Sequence, residues 1–131
     1  MKKIGVLNKN LSEVIARMGH GDMLVICDAG LPIPACTQRI DLAICKNLPG
    51  FIDTVKTISS ELKVDQVIIA EETGKSSPQI EKQLLEIFPE ANVKRLLHEE
   101  LKKLSADAIA VVRTGEFTPY ANVILVSGVV F

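Results

Sequence analysis

Met23-Leu24-Val25-Ile26-Cys27 sets five apolar residues in a row and stops at Asp28. A strand with one face in water alternates polar and apolar residues, so an unbroken run reads as a buried strand. Val64–Ala70, Ala108–Val112 and Val123–Val130 read as further strands, and Arg39–Cys45 and Val93–Leu97 as shorter ones. Between the strands the apolar spacing becomes helical. Leu11, Val14, Ile15 and Met18 form one stripe, with Asn10 or Ser12 as its cap and Gly19 as its stop. Phe51, Ile52, Val55, Ile58 and Leu62 form a second stripe behind Pro49-Gly50. Ile80, Leu84, Leu85 and Phe88 form a third, opened by Ser77 as cap and Pro78 at the first helical position and ended by Pro89. His98–Ser105 reads as a short helix with Leu101 and Leu104 inward. Ala29–Pro34 carries two prolines, which lack ladder donors, and so reads as loop.

Strands alternating with helices predict an α/β fold. The helix-free stretch between the last two strands calls for an antiparallel pair, hence a mixed sheet. At 131 residues the chain is the size of one domain, residues 1–131. Ile, Val and Leu supply 41 of those residues, enough for a real core, which argues against disorder and against a disulfide-stapled miniprotein. The formal net charge is −1, so nothing in the charge balance favours nucleic acid or an anionic membrane as partner. Lys2-Lys3 begins like a signal peptide, but the apolar run behind it ends at Leu7, short of the roughly 7–15 residues needed. No stretch approaches the ~20 apolar residues of a membrane helix. Cys27, Cys36 and Cys45 are odd in number and lack C-x-x-C spacing, which fits reduced thiols and a cytoplasmic location.

Several familiar motifs fail. Gly74-Lys75-Ser76 echoes a phosphate-binding loop, but Ile69 stands where that loop needs glycine. No G-x-G-x-x-G or G-x-S-x-G is present, and the spacing of His20 and His98 does not argue for a metal. What remains is a polar set at the ends of apolar elements. His20 sits between Gly19 and Gly21, which allow a sharp turn and leave the imidazole uncrowded. Asp28 stands at the carboxyl end of a buried strand, where α/β sheets place ligands. His98 opens a short helix, and Tyr120, the only tyrosine, lies with Asn122 ahead of the last strand. Each residue alone is equally well a turn, cap or surface residue. Together they offer imidazole, carboxylate, phenol and amide groups, which suit a neutral polyol.

The chain resembles the D-ribose pyranase family, related to the fucose mutarotases. The resemblance runs end to end. It is carried by Gly5-Val6-Leu7-Asn8, Met18-Gly19-His20-Gly21-Asp22, Asp28-Ala29-Gly30-Leu31-Pro32-Ile33-Pro34, Ile40-Asp41-Leu42-Ala43, Arg113-Thr114-Gly115-Glu116 and Pro119-Tyr120-Ala121-Asn122. It implies a three-layer α/β/α single domain that exchanges the pyranose and furanose forms of D-ribose without a cofactor. It implies His20 as proton donor, and Asp28, His98, Tyr120, Ala121 and Asn122 as substrate-binding residues, Ala121 through its backbone. It also implies a homo-oligomer, a decamer of two stacked pentameric rings with sites near subunit interfaces, and a downstream kinase that uses the furanose.

The chemistry agrees with the residue types. Ring exchange protonates the ring oxygen, removes the anomeric proton, and reverses both steps on another hydroxyl. Histidine, with an ordinary pKa near 6.5, gives and takes protons close to neutrality. Asp28 either orients His20 or accepts a sugar hydroxyl. The alternatives are a mutarotase for another free sugar such as fucose, and a non-enzymatic sugar-binding component of ribose transport.

Overall fold

The computed structural model describes all 131 residues. The elements in chain order are α1 (Lys9–Arg17), β1 (Met23–Cys27), β2 (Gln38–Asp41), α2 (Phe51–Ser59), β3 (Val64–Ala70), α3 (Glu71–Ser76), α4 (Pro78–Ile87), β4 (Asn92–Leu96), α5 (His98–Leu104), β5 (Ala110–Arg113) and β6 (Val123–Ser127). One six-stranded sheet runs in the order β2-β5-β1-β6-β3-β4. β1 pairs parallel with β5, β5 with β2 and β3 with β4, while β6 lies antiparallel between β1 and β3. The sheet is mixed, as expected. β6 is the reversed strand, but β5 and β6 are not neighbours, because β1 separates them.

Alternate residues of each central strand face opposite layers, as strand geometry requires. Leu24 and Ile26, Val67 and Ile69, Val123 and Leu125 join the larger core under α1, α2 and α4, with Leu11, Val14, Phe51, Val55, Ile58 and Leu84. Val25, Cys27, Ile68, Ala70 and Ile124 face the smaller core, closed by Leu101 of α5 and by Leu31. The architecture is therefore three-layered, with one thick and one thin helical layer. The thin layer follows from the 28–37 connection, which joins the parallel strands β1 and β2 without a helix and lays Leu31 and Ile33 over the sheet. Full burial of each such aliphatic side chain contributes about 1.5–3 kcal/mol.

Local chemistry moves several boundaries. Asn8, not Asn10 or Ser12, caps α1: its Oδ1 accepts from Leu11 N at 3.0 Å, while the Ser12 hydroxyl donates to Val6 O. β2 stops at Asp41 rather than Cys45, because the Asp41 carboxylate accepts from Ala43 N at 3.1 Å and turns the chain. β5 begins at Ala110, after a 3₁₀ turn over Ser105–Asp107. β6 ends at Ser127 rather than Val130, because its partner β3 begins at Val64 and no strand continues beside it. Helix α3 follows β3 directly and was not expected. Ser77 makes no capping bond to α4, and its hydroxyl goes elsewhere. The edge strands β2 and β4 carry Arg39, Asp41, Lys94 and Arg95, charges that discourage further pairing.

Candidate active site

Five strands point the same way and β6 points back, so the carboxyl ends of β1, β3, β4 and β5 share one edge with the start of β6. The connection from β5 to β6 never leaves that edge. It meets the loop after β1 and the first turn of α5 around a cavity of about 560 Å³. Asp28, His98, Arg113, Glu116 and Tyr120 line it.

Asp28 and Asn122 hold one another. Asp28 N donates to Asn122 Oδ1 at 3.0 Å, and Asn122 Nδ2 donates to Asp28 Oδ2 at 3.0 Å. Asp28 Oδ1 accepts from Gly30 N and Leu31 N, each at 2.9 Å, which folds the following loop back over the strand end. Asn122 is buried behind Asp28, and Ala121 packs its methyl into the larger core. Of the Tyr120-Ala121-Asn122 triplet, only Tyr120 lines the cavity with its side chain.

Tyr120 takes φ +60°, the left-handed region that a bulky residue rarely adopts. Its carbonyl accepts from Asn122 N and from the Thr73 hydroxyl, both at 2.9 Å. Its ring meets His98 edge-on, with centroids 5.0 Å apart and planes at 89°. His98 N donates to Glu72 Oε2 at 2.9 Å, while His98 Nδ1 is buried with no partner in the chain. A buried ring nitrogen beside a cavity and without a partner suits a ligand hydroxyl.

Glu116 joins the cavity to α2. Its Oε2 accepts from Phe51 N at 3.1 Å, the first turn of a helix whose own cap, Gly50, has no side chain to offer. Its Oε1 accepts from Thr118 N and the Thr118 hydroxyl. Burial works to raise the Glu116 pKa, but these hydrogen bonds outweigh it and hold the carboxyl below its ordinary range. Gly115 makes the approach possible: a Cβ there would stand 2.5 Å from the carbonyls of Cys45 and Leu48. Arg113 donates from Nε to Ala29 O at 3.0 Å and pairs through Nη1 with Asp41 at 3.2 Å, tying the loop after β1 to β2. Cys27, beneath Asp28, offers no nucleophile. Burial first, and the Asp28 charge second, push its thiol up to about 12.

His20 lies elsewhere. It precedes β1, and the five residues of that strand, about 17 Å, separate it from Asp28. Its turn is well fixed. Gly19 N donates to Asp22 Oδ2 at 2.7 Å, the Ser127 hydroxyl donates to Gly19 O, and Gly21, at φ +86°, donates to Ser127 O at 2.9 Å. The imidazole itself projects outward, with Nε2 3.7 Å from Asp65 Oδ2. The chain therefore gathers Asp28, His98, Tyr120 and Asn122 at one edge and sets His20 at the opposite one. It cannot place both imidazoles on one ion.

In the sequence Arg113 and Glu116 stand within a motif with no role of their own, Ser77 reads only as a helix cap, and no local signal marks Glu72, Thr73 or Asp65. Glu71 and Glu72 open α3 directly behind β3. A six-residue helix has no apolar stripe by which to be seen.

Comparison with known proteins matches this architecture. The model of the RbsD / FucU transport protein family aligns with residues 1–130. D-ribose pyranases of Chloroflexus aggregans and Clostridium perfringens are each 56% identical over 131 residues, covering 100% of both chains. The structure of Bacillus subtilis RbsD complexed with D-ribose superposes with a TM-score of 0.97 at 48% identity, covering 100% of both chains. The fucose mutarotase of Streptococcus pneumoniae in complex with L-fucose gives 0.81 at 26% identity over 95% of each chain. With a family match from end to end and the same six-stranded fold, the chain belongs to the RbsD / FucU family.

Proposed function

We propose that this protein is a D-ribose pyranase, an isomerase that opens the ring of D-ribose and recloses it to exchange pyranose and furanose. The observation that carries the reading is full-length similarity at 56% identity to proteins named D-ribose pyranase, joined to the near-superposition on a ribose-bound relative. The cavity supports it with chemistry suited to a neutral polyol: a phenol, an imidazole nitrogen without a partner, and a carboxylate bounded by backbone amides. A fucose-directed mutarotase is the weaker alternative, since that relative is 26% identical.

His20 is the proton donor in this proposal, and its position has a consequence. A donor at the amino edge serves a cavity at the carboxyl edge only if a second copy brings its own His20 there. Such a contact joins two different surfaces, and its repetition generates a ring where the rotation closes. We therefore place the site between subunits of a homo-oligomer, which the family resemblance makes a decamer of two pentameric rings working in the cytoplasm. Ile4, Leu7, Ile44, Phe117 and Phe131 lie exposed on one chain, apolar area that an assembly would cover. His20 protonates the ring oxygen. Asp28, His98, Tyr120, the Ala121 backbone and Asn122 hold the hydroxyls or the loops that meet them.

Saturation-transfer NMR on D-ribose tests the function. Catalytic amounts of protein should raise the pyranose–furanose exchange rate well above that in buffer, and more for ribose than for fucose. Ribose binding with no gain in exchange would assign the chain to sugar carriage instead.

A further inference from the structure

Three side chains of one short segment reach the backbones that carry His98 and Tyr120. Glu72 of α3 accepts from His98 N at 2.9 Å. Thr73 donates its hydroxyl to Tyr120 O at 2.9 Å, and Ser77, just past the helix, donates its own to Pro119 O at 2.8 Å. None of the three lines the cavity. Thr73 is completely buried and Ser77 nearly so, and neither hydroxyl makes another hydrogen bond. Ser77 stands where a serine ordinarily caps the next helix, yet it forgoes that bond to hold the Pro119 carbonyl.

The two bonds fall on a strained turn. Tyr120 at φ +60° persists only when its surroundings determine it. Within the turn Ala121 N donates to Thr118 O and Asn122 N to Tyr120 O, and the bonds that reach its carbonyls from outside come from Thr73 and Ser77. With Glu72 holding the first residue of α5, one segment fixes both partners of the edge-on ring contact.

We propose that Glu72, Thr73 and Ser77 are positioning residues that set Tyr120 and His98 in their edge-on arrangement before sugar arrives. They touch no substrate and act through the two rings. The inference rests on the pyranase reading for its kinetic consequence and stands independently of it for its spectroscopic one.

The chain contains one tyrosine and no tryptophan, so tyrosine emission and the tyrosine near-ultraviolet dichroism report on Tyr120 alone. Thr73→Val keeps the shape and removes the hydroxyl, Ser77→Ala removes one oxygen, and Thr73→Ser restores the donor. The double variant Thr73→Val/Ser77→Ala should lose most of the tyrosine dichroic signal and raise the apparent KM for ribose about tenfold, a typical result of losing buried hydrogen bonds. Its kcat should change less. Ser77→Ala alone should move both readouts in the same direction, and Thr73→Ser should lie close to wild type. Ser77→Ala decides the matter should the double variant not fold. Wild-type dichroism and KM in that variant, with only the melting temperature lowered, would overturn the proposal. Should the wild-type protein not exchange ribose ring forms, the pyranase reading falls, while the dichroism still judges the three residues.

Discussion

Asp28 and Asn122, 94 positions apart in sequence, are bonded twice, each giving one donor and one acceptor at 3.0 Å. The pairing joins the end of β1 to the start of β6 at the side of the cavity that Asp28 lines. It works because β6 runs antiparallel to β1, which sets the first residues of one beside the last residues of the other.

Asn122→Ala should therefore damage both stability and ribose handling. It leaves Asp28 N and Oδ2 without their partners, and a buried group left unpaired costs about 1–3 kcal/mol. Urea unfolding should give a loss in that range, and ring exchange should slow at sub-saturating ribose. Tyr120→Phe should weaken ribose handling with less effect on folding. Wild-type handling by both variants would make the triplet structural only.

His20→Ala should slow ring exchange by ~10²–10⁴-fold, the usual worth of a positioned acid or base. Fold should be retained, because the side chain projects outward. If His20 serves a neighbour's cavity, then mixing His20→Ala and Asp28→Ala subunits should restore activity that neither variant has alone. Random mixing rebuilds about a quarter of the sites in a ring of identical contacts. Absence of any recovery after confirmed subunit exchange would return His20 to its own chain's chemistry. Light scattering on a fully active 14.3 kDa monomer would remove the shared site altogether.

The acid side of the stability profile should depend on Glu116. Its carboxyl is held below the ordinary value of 4.5 in the folded chain, so the unfolded chain binds the proton more readily. The contribution is present above pH 4.5 and is lost as the pH falls through the folded value. Glu61, depressed chiefly by its bond from Val6 N, adds in the same sense. Glu116→Gln should flatten part of the decline in denaturation midpoint below that pH. An unchanged acid limb would show that the Phe51 and Thr118 bonds contribute nothing net.

Ring exchange should survive exhaustive chelation, since acid–base opening and closure balance without a Lewis acid. Loss of activity on chelation, with recovery on adding one divalent ion, would mean that two subunits assemble a metal site from the separated histidines.

What could be read directly were the elements that local chemistry dictates. Met23–Cys27 is apolar throughout because it is covered on both faces, and Phe51, Val55 and Ile58 repeat at helical spacing because one side of α2 meets the sheet. The distance between His20 and Asp28 was also implicit, since a five-residue strand lies between them. Long-range pairing decided the rest. No local pattern says that β6 inserts between β1 and β3, and that insertion is what brings Asn122 to Asp28. Nor does anything near Thr73 or Ser77 announce a partner 47 or 42 residues away. Propensity and periodicity act over a few residues, whereas a hydroxyl finds its acceptor only after sheet order has brought the two together. The alternation of strands and helices is thus a property of the sequence read locally, and the cavity is a property of the order in which those strands pair.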